Sequence, residues 1–177
     1  MIEGLSYIPS FLDSNEQRTL QTLLEQLSFY HDTFLGKQLK RSWSQYGFKY
    51  GSTGRTLEPA APFPPFLQHL ADKGRAACGD PDPINQCIVT CYEAGSGIGW
   101  HTDAPTFGDF IFGVSLGAPA RLQFRRPDSP VECELTVHSG SIYCMSGRAR
   151  WDYQHRVPAV KATRHSLTFR TVREVLR

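Results

Sequence analysis

From Gln86 onward the chain is cut into short segments rich in β-branched or aromatic residues, each bounded by Gly, Pro, Asp or Ser. They run at about 86 to 92, 110 to 116, 120 to 125, 131 to 138, 141 to 145 and 165 to 172. Strands of that length at that spacing suggest an antiparallel barrel or jelly roll. Two helices precede them. Ser14 and Gln17 stand at capping-box spacing ahead of Leu20, Leu23, Leu24 and Leu27, which predicts an amphipathic helix at about 15 to 28. A proline cluster (Pro59, Pro62, Pro64, Pro65) introduces a second helix carrying Phe66, Leu67 and Leu70, closed by the run from Gly79 to Pro83. The expected class is therefore mainly β (α+β), with the N-terminal helices packed on one outer face.

At 177 residues and 40% apolar, the chain can bury one core, and 1–177 reads as a single domain. Its formal charge of +2 projects no field strong enough to bind nucleic acid by itself. The charge is local. Between Thr33 and Leu57, Lys37, Lys40, Arg41, Lys49 and Arg55 mix with Phe34, Trp43, Tyr46, Phe48 and Tyr50 without any acid, so the remainder of the chain is net −3. For an arbitrary protein such a window is a solvated hairpin.

The five cysteines include no two-residue-spaced pair and read as reduced, mostly buried thiols. Cys87 and Cys91, four apart on one strand face, read as small core residues. Glu3 and Pro9 interrupt anything resembling a secretory signal, and no run approaches the roughly 20 apolar residues of a membrane span. The expectation is a soluble, cytoplasmic monomer with no membrane partner.

The chemistry concentrates in Tyr92-Glu-Ala-Gly-Ser-Gly-Ile-Gly-Trp-His101-Thr-Asp103. In an extended segment the i, i+2 spacing of His101 and Asp103 puts imidazole and carboxylate on one face. With a second histidine, for which His155 is the best candidate, they compose the 2-His-1-carboxylate set that holds Fe(II) and leaves positions open. A lone H-x-D is more often a hydrogen-bonded structural pair than a metal site. Further on, Arg164, Ser166, Thr168 and Arg170 alternate strictly with His165, Leu167 and Phe169. Either the apolar face points inward, or the arginines face a polar cavity and the apolar residues meet an outer helix. Buried guanidiniums would need an anion, and a dicarboxylate such as 2-oxoglutarate suits them. Thr90 and Tyr92, on one face of their own strand, complete such a pocket.

Taken together, Tyr92, His101-x-Asp103, the stretch Ser141 to Trp151 leading to His155, and the arginine pair resemble the AlkB family of 2-oxoglutarate- and Fe(II)-dependent dioxygenases from about Gly4 to Arg173. The resemblance implies a double-stranded β-helix jelly roll with His101, Asp103 and His155 as iron ligands. It implies Arg164, Tyr92, Thr90 and Ser166 around 2-oxoglutarate, with Arg170 at the metal-proximal end. O2 would be consumed and succinate and CO2 released, while N-alkylated bases in DNA or RNA lose their alkyl group as an aldehyde. Residues 33–57 match the family's substrate-recognition lid in position, with Trp43, Tyr46 and Lys49 as substrate contacts.

Thr90 and Ser166 replace residues that are commonly Asn in the family. Ala104 and Pro105 stand where members acting on methylated adenine or cytosine carry an acid. The first two departures bear on co-substrate geometry, and the missing acid gives weight to uridine-type or other substrates; the alternative is the same chemistry, as a hydroxylase or demethylase, on a modified tRNA base, a protein or a small molecule. A catalytically silent nucleic-acid-binding β-barrel is the third reading, and the intact ligand set argues against it.

Overall fold

A computed structural model describes residues 2–34, 36–50 and 56–173, so Arg55 of the basic window lies outside the described residues. The elements are β1 (Leu5–Ile8), α1 (Ser14–Leu24), β2 (Tyr30–Phe34), β3 (Lys37–Tyr46), β4 (Phe48–Tyr50), β5 (Leu57–Pro59), α2 (Pro65–Cys78) and β6 (Gln86–Tyr92). After these come β7 (Ile98–His101), β8 (Phe107–Gly117), β9 (Ala120–Arg125), β10 (Cys133–Val137), β11 (Ile142–Met145), α3 (Gly147–Trp151), β12 (Gln154–Val157) and β13 (Arg164–Val172).

The fold is a jelly roll, mostly of antiparallel sheet. A seven-stranded sheet in the order β1-β11-β8-β13-β6-β3-β2 works against a four-stranded sheet in the order β10-β9-β12-β7, and β4 and β5 pair separately. All six expected strand segments are present. β1, β2, β3, β7 and β12 join them.

Strand alternation divides the interior in two. One face of the large sheet carries Cys87, Val89, Phe112, Val114, Leu167 and Phe169, which pack with Leu20 and Leu24 of α1 and Leu67 and Leu70 of α2. The other core contains Tyr92, Ile111, Leu122, Phe124, Val137, Tyr143 and Val157, contributed by both sheets. The helices therefore cover the apolar face of β13, and its arginines turn inward. Gly74 lets α2 sit directly on β8, because a Cβ there would come within 2.3 Å of the Phe112 ring.

Three details differ from the sequence expectation. The N-cap of α1 is Asp13, not Ser14: its carboxylate accepts from the backbone of Asn15 and Glu16 at 2.8 Å each, and Glu16 accepts from the Asp13 backbone at 2.8 Å. A carboxylate cap facing the helix dipole wins over a hydroxyl one position later. Cys78 and Cys144 form a disulfide between α2 and β11, across a Cα separation of 5.9 Å, so these two are not reduced thiols. The docking of α2 onto the sheet brings together cysteines 66 residues apart. Most of the basic aromatic window is also sheet, since β3 pairs with β6 from Arg41↔Tyr92 to Tyr46↔Cys87.

Candidate active site

Two strands of the large sheet lay the floor of the site. On β13, Arg164 lies opposite Tyr92 and Ser166 opposite Thr90 of β6, and all four side chains share the face that looks toward the small sheet. From the small sheet, His155 of β12 pairs in register with His101 of β7. A register shift follows that pair, so Ile98 and His101, three apart, both face inward. Asp103 lies beyond the end of β7, so its position comes from tertiary contacts and not from strand alternation.

The result is one cavity of about 90 Å³, lined by Thr90, Tyr92, His101, Asp103, His155, Arg164, Ser166 and Arg170, together with Tyr143 and several aliphatic residues. It holds all eight residues that the sequence offers for metal and co-substrate. The ring centroids of His101 and His155 are 4.3 Å apart, and His155 Nε2 is 3.5 Å from Asp103 Oδ2. His101 Nδ1 lies 2.8 Å from the Gly99 carbonyl. A carbonyl only accepts, so Nδ1 carries the proton and Nε2 is left as the donor atom for a metal.

Electrostatics favour the same use. Burial raises the Asp103 carboxyl, but Arg170, 2.5 Å from Oδ1, outweighs it with help from His155, His101 and Arg150, and the net is a group held below its ordinary range. Burial lowers His155 to about 4, against the opposing pull of Asp103. An ionised carboxylate and a neutral imidazole are the forms that bind a divalent ion. The three donors are neighbours and not a finished coordination sphere. Among the described residues no three His, Cys, Asp or Glu groups already enclose a metal site, and one Asp103 oxygen is engaged by Arg170. The donor types of His101, Asp103 and His155 would suit a divalent ion.

The neutral His155 has a pH consequence. Its folded pKa lies below the unfolded value near 6.5, so as pH falls from about 6.5 toward 4 the unfolded chain takes up a proton that the folded chain refuses. Metal-free protein should lose roughly 3 kcal/mol across that window. Urea titrations at steps of pH check this, and a His155→Gln variant should lack that component.

Arg164 is the most telling group. It is 1% exposed, donates from Nη2 to Ser115 Oγ at 2.8 Å and lies 5.2 Å from the Tyr92 ring centroid, while its Nε has no partner and no carboxylate pairs with it among the described residues. The Arg170 Nε is likewise without a partner. A buried cation with unused donors in a cavity is a site for an anion.

This arrangement of imidazoles, carboxylate and unanswered guanidinium in a jelly roll coincides with a sequence match to the 2OG-Fe(II) oxygenase superfamily over residues 4–174. The chain belongs to that superfamily. Its relatives include the Xenopus tropicalis tRNA (carboxymethyluridine(34)-5-O)-methyltransferase alkbh8, 28% identical over 163 residues, covering 87% of this chain and 25% of the relative. They also include human alpha-ketoglutarate-dependent dioxygenase alkB homolog 3, 28% identical over 152 residues, covering 76% and 52%. The chain thus spans between a quarter and about half of the length of these relatives. The solved structure of OsALKBH1 superposes with a TM-score of 0.75 at 18% identity, covering 95% of this chain and 98% of that one. A Burkholderia pseudomallei oxidoreductase of the 2OG-Fe(II) oxygenase family gives 0.67 at 18%, covering 95% and 85%. Both share its fold.

Of the sequence-level substrate contacts of the oxygenase, only Trp43 lies on the cavity side of its strand. It stands opposite Thr90 and 5.7 Å from the Tyr30 ring. Tyr46 does not: it is 9% exposed in the core beneath the helices, because β3 alternation puts it with Cys87 and Val89. Lys49 is exposed on β4, which pairs only with β5.

The sequence reading missed three residues of the site. Ser115 supports Arg164, and its place in Gly113-Val-Ser-Leu-Gly117, small and large residues in turn, is a legible signal of a strand with one face cleared for a cavity. Tyr143 lies over Gly113, where a Cβ would meet its ring at 2.4 Å, and burial pushes its hydroxyl to about 12, so it stays a donor. Arg150 of α3 is the third. It is 3% exposed and donates to the carbonyls of Asp103, Ala104 and Gly108 at 3.2, 2.8 and 3.2 Å.

Proposed function

We propose that the protein is an AlkB-like 2-oxoglutarate- and Fe(II)-dependent dioxygenase that dealkylates N-alkylated bases in DNA or RNA. The observation that carries the proposal is the buried, acid-free Arg164 in the same cavity as His101, Asp103 and His155. His101, Asp103 and His155 hold the metal. Arg164 receives the far carboxylate of 2-oxoglutarate, with Tyr92, Thr90 and Ser166 as polar neighbours on the same floor. Arg170 keeps Asp103 ionised and aimed. When bound, Fe(II), 2-oxoglutarate and O2 supply oxidation of a substrate C–H bond, with succinate and CO2 as co-products.

Ile98, Leu122, Val137 and Val157 line the cavity with apolar side chains, and Asp103, His155 and Arg164 are buried between the two sheets. A base must therefore leave its stack to reach it. Trp43, Tyr30 and the exposed Lys37 and Lys40 lie on the β2–β3 side of the site. Lys40 approaches the loop between Tyr92 and His101, near Gly95, and Arg41 reaches the Gly97 carbonyl at 3.5 Å. Positive charge beside aromatic rings suits a nucleic acid strand carrying an extruded base. The names of the relatives, an alkB homolog 3 and a tRNA-modifying alkbh8, point the same way. Ala104 and Pro105 supply no carboxylate to grip an exocyclic amine, which favours uridine-type bases as the second reading.

The test is mass spectrometry of single-stranded DNA and RNA oligonucleotides bearing different N-alkylated bases, with modified-uridine RNA included, after incubation with protein, Fe(II) and 2-oxoglutarate. Loss of an alkyl group with equimolar succinate is expected. Succinate formed without change in any oligonucleotide would keep the oxygenase and overturn the nucleic acid substrate.

A further inference from the structure

The outer face of the four-stranded sheet carries a second basic aromatic group, on the far side of the wall that holds His101 and His155. Alternation directs Trp100 outward where His101 turns inward. On that face the guanidinium carbons of Arg125 and Arg156 lie 4.4 and 4.6 Å from the Trp100 ring centroid. Each arginine is fixed at its Nε by a neutral amide: Arg125 donates to Gln154 at 3.0 Å and Arg156 to Gln123 at 2.7 Å. Neither is in an ion pair with a carboxylate among the described residues. The same face has Arg121, which shares Glu134 with Gln123. Three arginines therefore meet one glutamate there, and the Nη donors of Arg125 and Arg156 have no protein acceptor among the described residues.

Holding two guanidiniums on one indole without a counter-charge places like charges side by side. The ring offsets part of that cost and immobilises both forks. Arginine presented in this way matches the paired oxygens of a phosphodiester better than a mobile lysine does. The position also suits a substrate strand. β7 is the free edge of its sheet, so this face ends at the strand that carries His101 into the cavity, one residue past Trp100.

We infer that Arg125 and Arg156, braced by Trp100, form a docking surface for the phosphate backbone of a single-stranded nucleic acid, gripping the part of the substrate strand that flanks the reacting base. This inference rests on the proposed nucleic acid substrate. It places the flanking strand around the β7 edge, in addition to the β2–β3 side.

The experiment is fluorescence anisotropy with labelled single-stranded DNA and RNA over a salt series, comparing unaltered protein with Arg125→Gln/Arg156→Gln. The glutamines place a neutral hydrogen-bond donor at each position while removing both charges, and a second variant, Arg125→Lys/Arg156→Lys, keeps charge and loses the fork. Calorimetric binding of 2-oxoglutarate with Mn(II) should be the same in all three, which establishes an intact cavity. For two lost phosphate contacts the slope of log K against log salt should shrink by about 1.4 in the glutamine variant. The lysine variant should retain the slope and bind more weakly at every salt concentration. An unchanged affinity and slope in the glutamine variant would overturn the docking surface while leaving the nucleic acid substrate standing. No binding of any oligonucleotide by unaltered protein would overturn both.

Discussion

Asp103→Ala is expected to abolish 2-oxoglutarate turnover, measured as succinate, and to weaken Mn(II) affinity in calorimetry by more than about 100-fold, the upper end of what loss of a merely supporting partner costs. The carboxylate is 7% exposed and stands between the two imidazoles and Arg170. Removing it takes away the one anionic donor of the set. It also leaves the buried Arg170 without a counter-charge, holding only a hydrogen bond to Gln86 at 3.4 Å and the Phe107 ring at 4.6 Å among the described residues, a situation that typically costs about 3–5 kcal/mol. Loss of turnover through unfolding must therefore be separated from loss of the ligand. Asp103→Asn does this, because the amide oxygen can still accept from Arg170 while the ligand charge is gone. The Asn variant should melt closer to the unaltered protein than the Ala variant does, yet be as inactive. Full turnover in either variant would remove Asp103 from the metal site.

The partial legibility of this protein has a physical basis. β13 could be read because its alternation is strict: Leu167 and Phe169 meet the helices, and Arg164 and Arg170 meet the cavity. The sequence left open which face was inward, and the presence of α1 and α2 over the large sheet decides it. β3 was hidden because the positions it turns toward the helix-side core are Ser42 and Ser44 as well as Tyr46, so a ten-residue strand shows no apolar period. In β7 the register shift breaks the two-residue period that would have exposed it. That His101, Asp103 and His155 belong to one cavity was legible from residue types and order, even though Asp103 reaches it from beyond the strand. The Cys78–Cys144 bond and the burial of Arg150 depend on contacts between distant elements, which no local pattern encodes.

Arg150 is where that hidden tertiary layer meets the chemistry. The Asp103 and Ala104 carbonyls lie in the irregular stretch between β7 and β8, and Gly108 lies at the start of β8 where the register against β13 shifts; one guanidinium from α3 donates to all three, with the Phe107 carbonyl at 3.5 Å as well. Burial lowers the Arg150 pKa while Asp103 opposes that shift, so the two groups also support one another electrostatically. Arg150→Met removes every donor and strands the Asp103 and Gly108 carbonyls, while the Ala104 carbonyl keeps the Phe107 N–H at 3.1 Å. At about 1–3 kcal/mol for each unsatisfied group, the expected loss is several kcal/mol, read as a fall in the urea midpoint. The effect on turnover should run through metal affinity: a 10- to 100-fold weaker Mn(II) dissociation constant, with succinate formation largely restored at saturating Fe(II). Arg150→Lys should recover part of the stability, because an ammonium carries three donors but cannot span the carbonyls as a planar fork does. If Arg150→Met lost stability while Mn(II) affinity stayed unchanged, Arg150 would be a structural clamp with no part in placing Asp103.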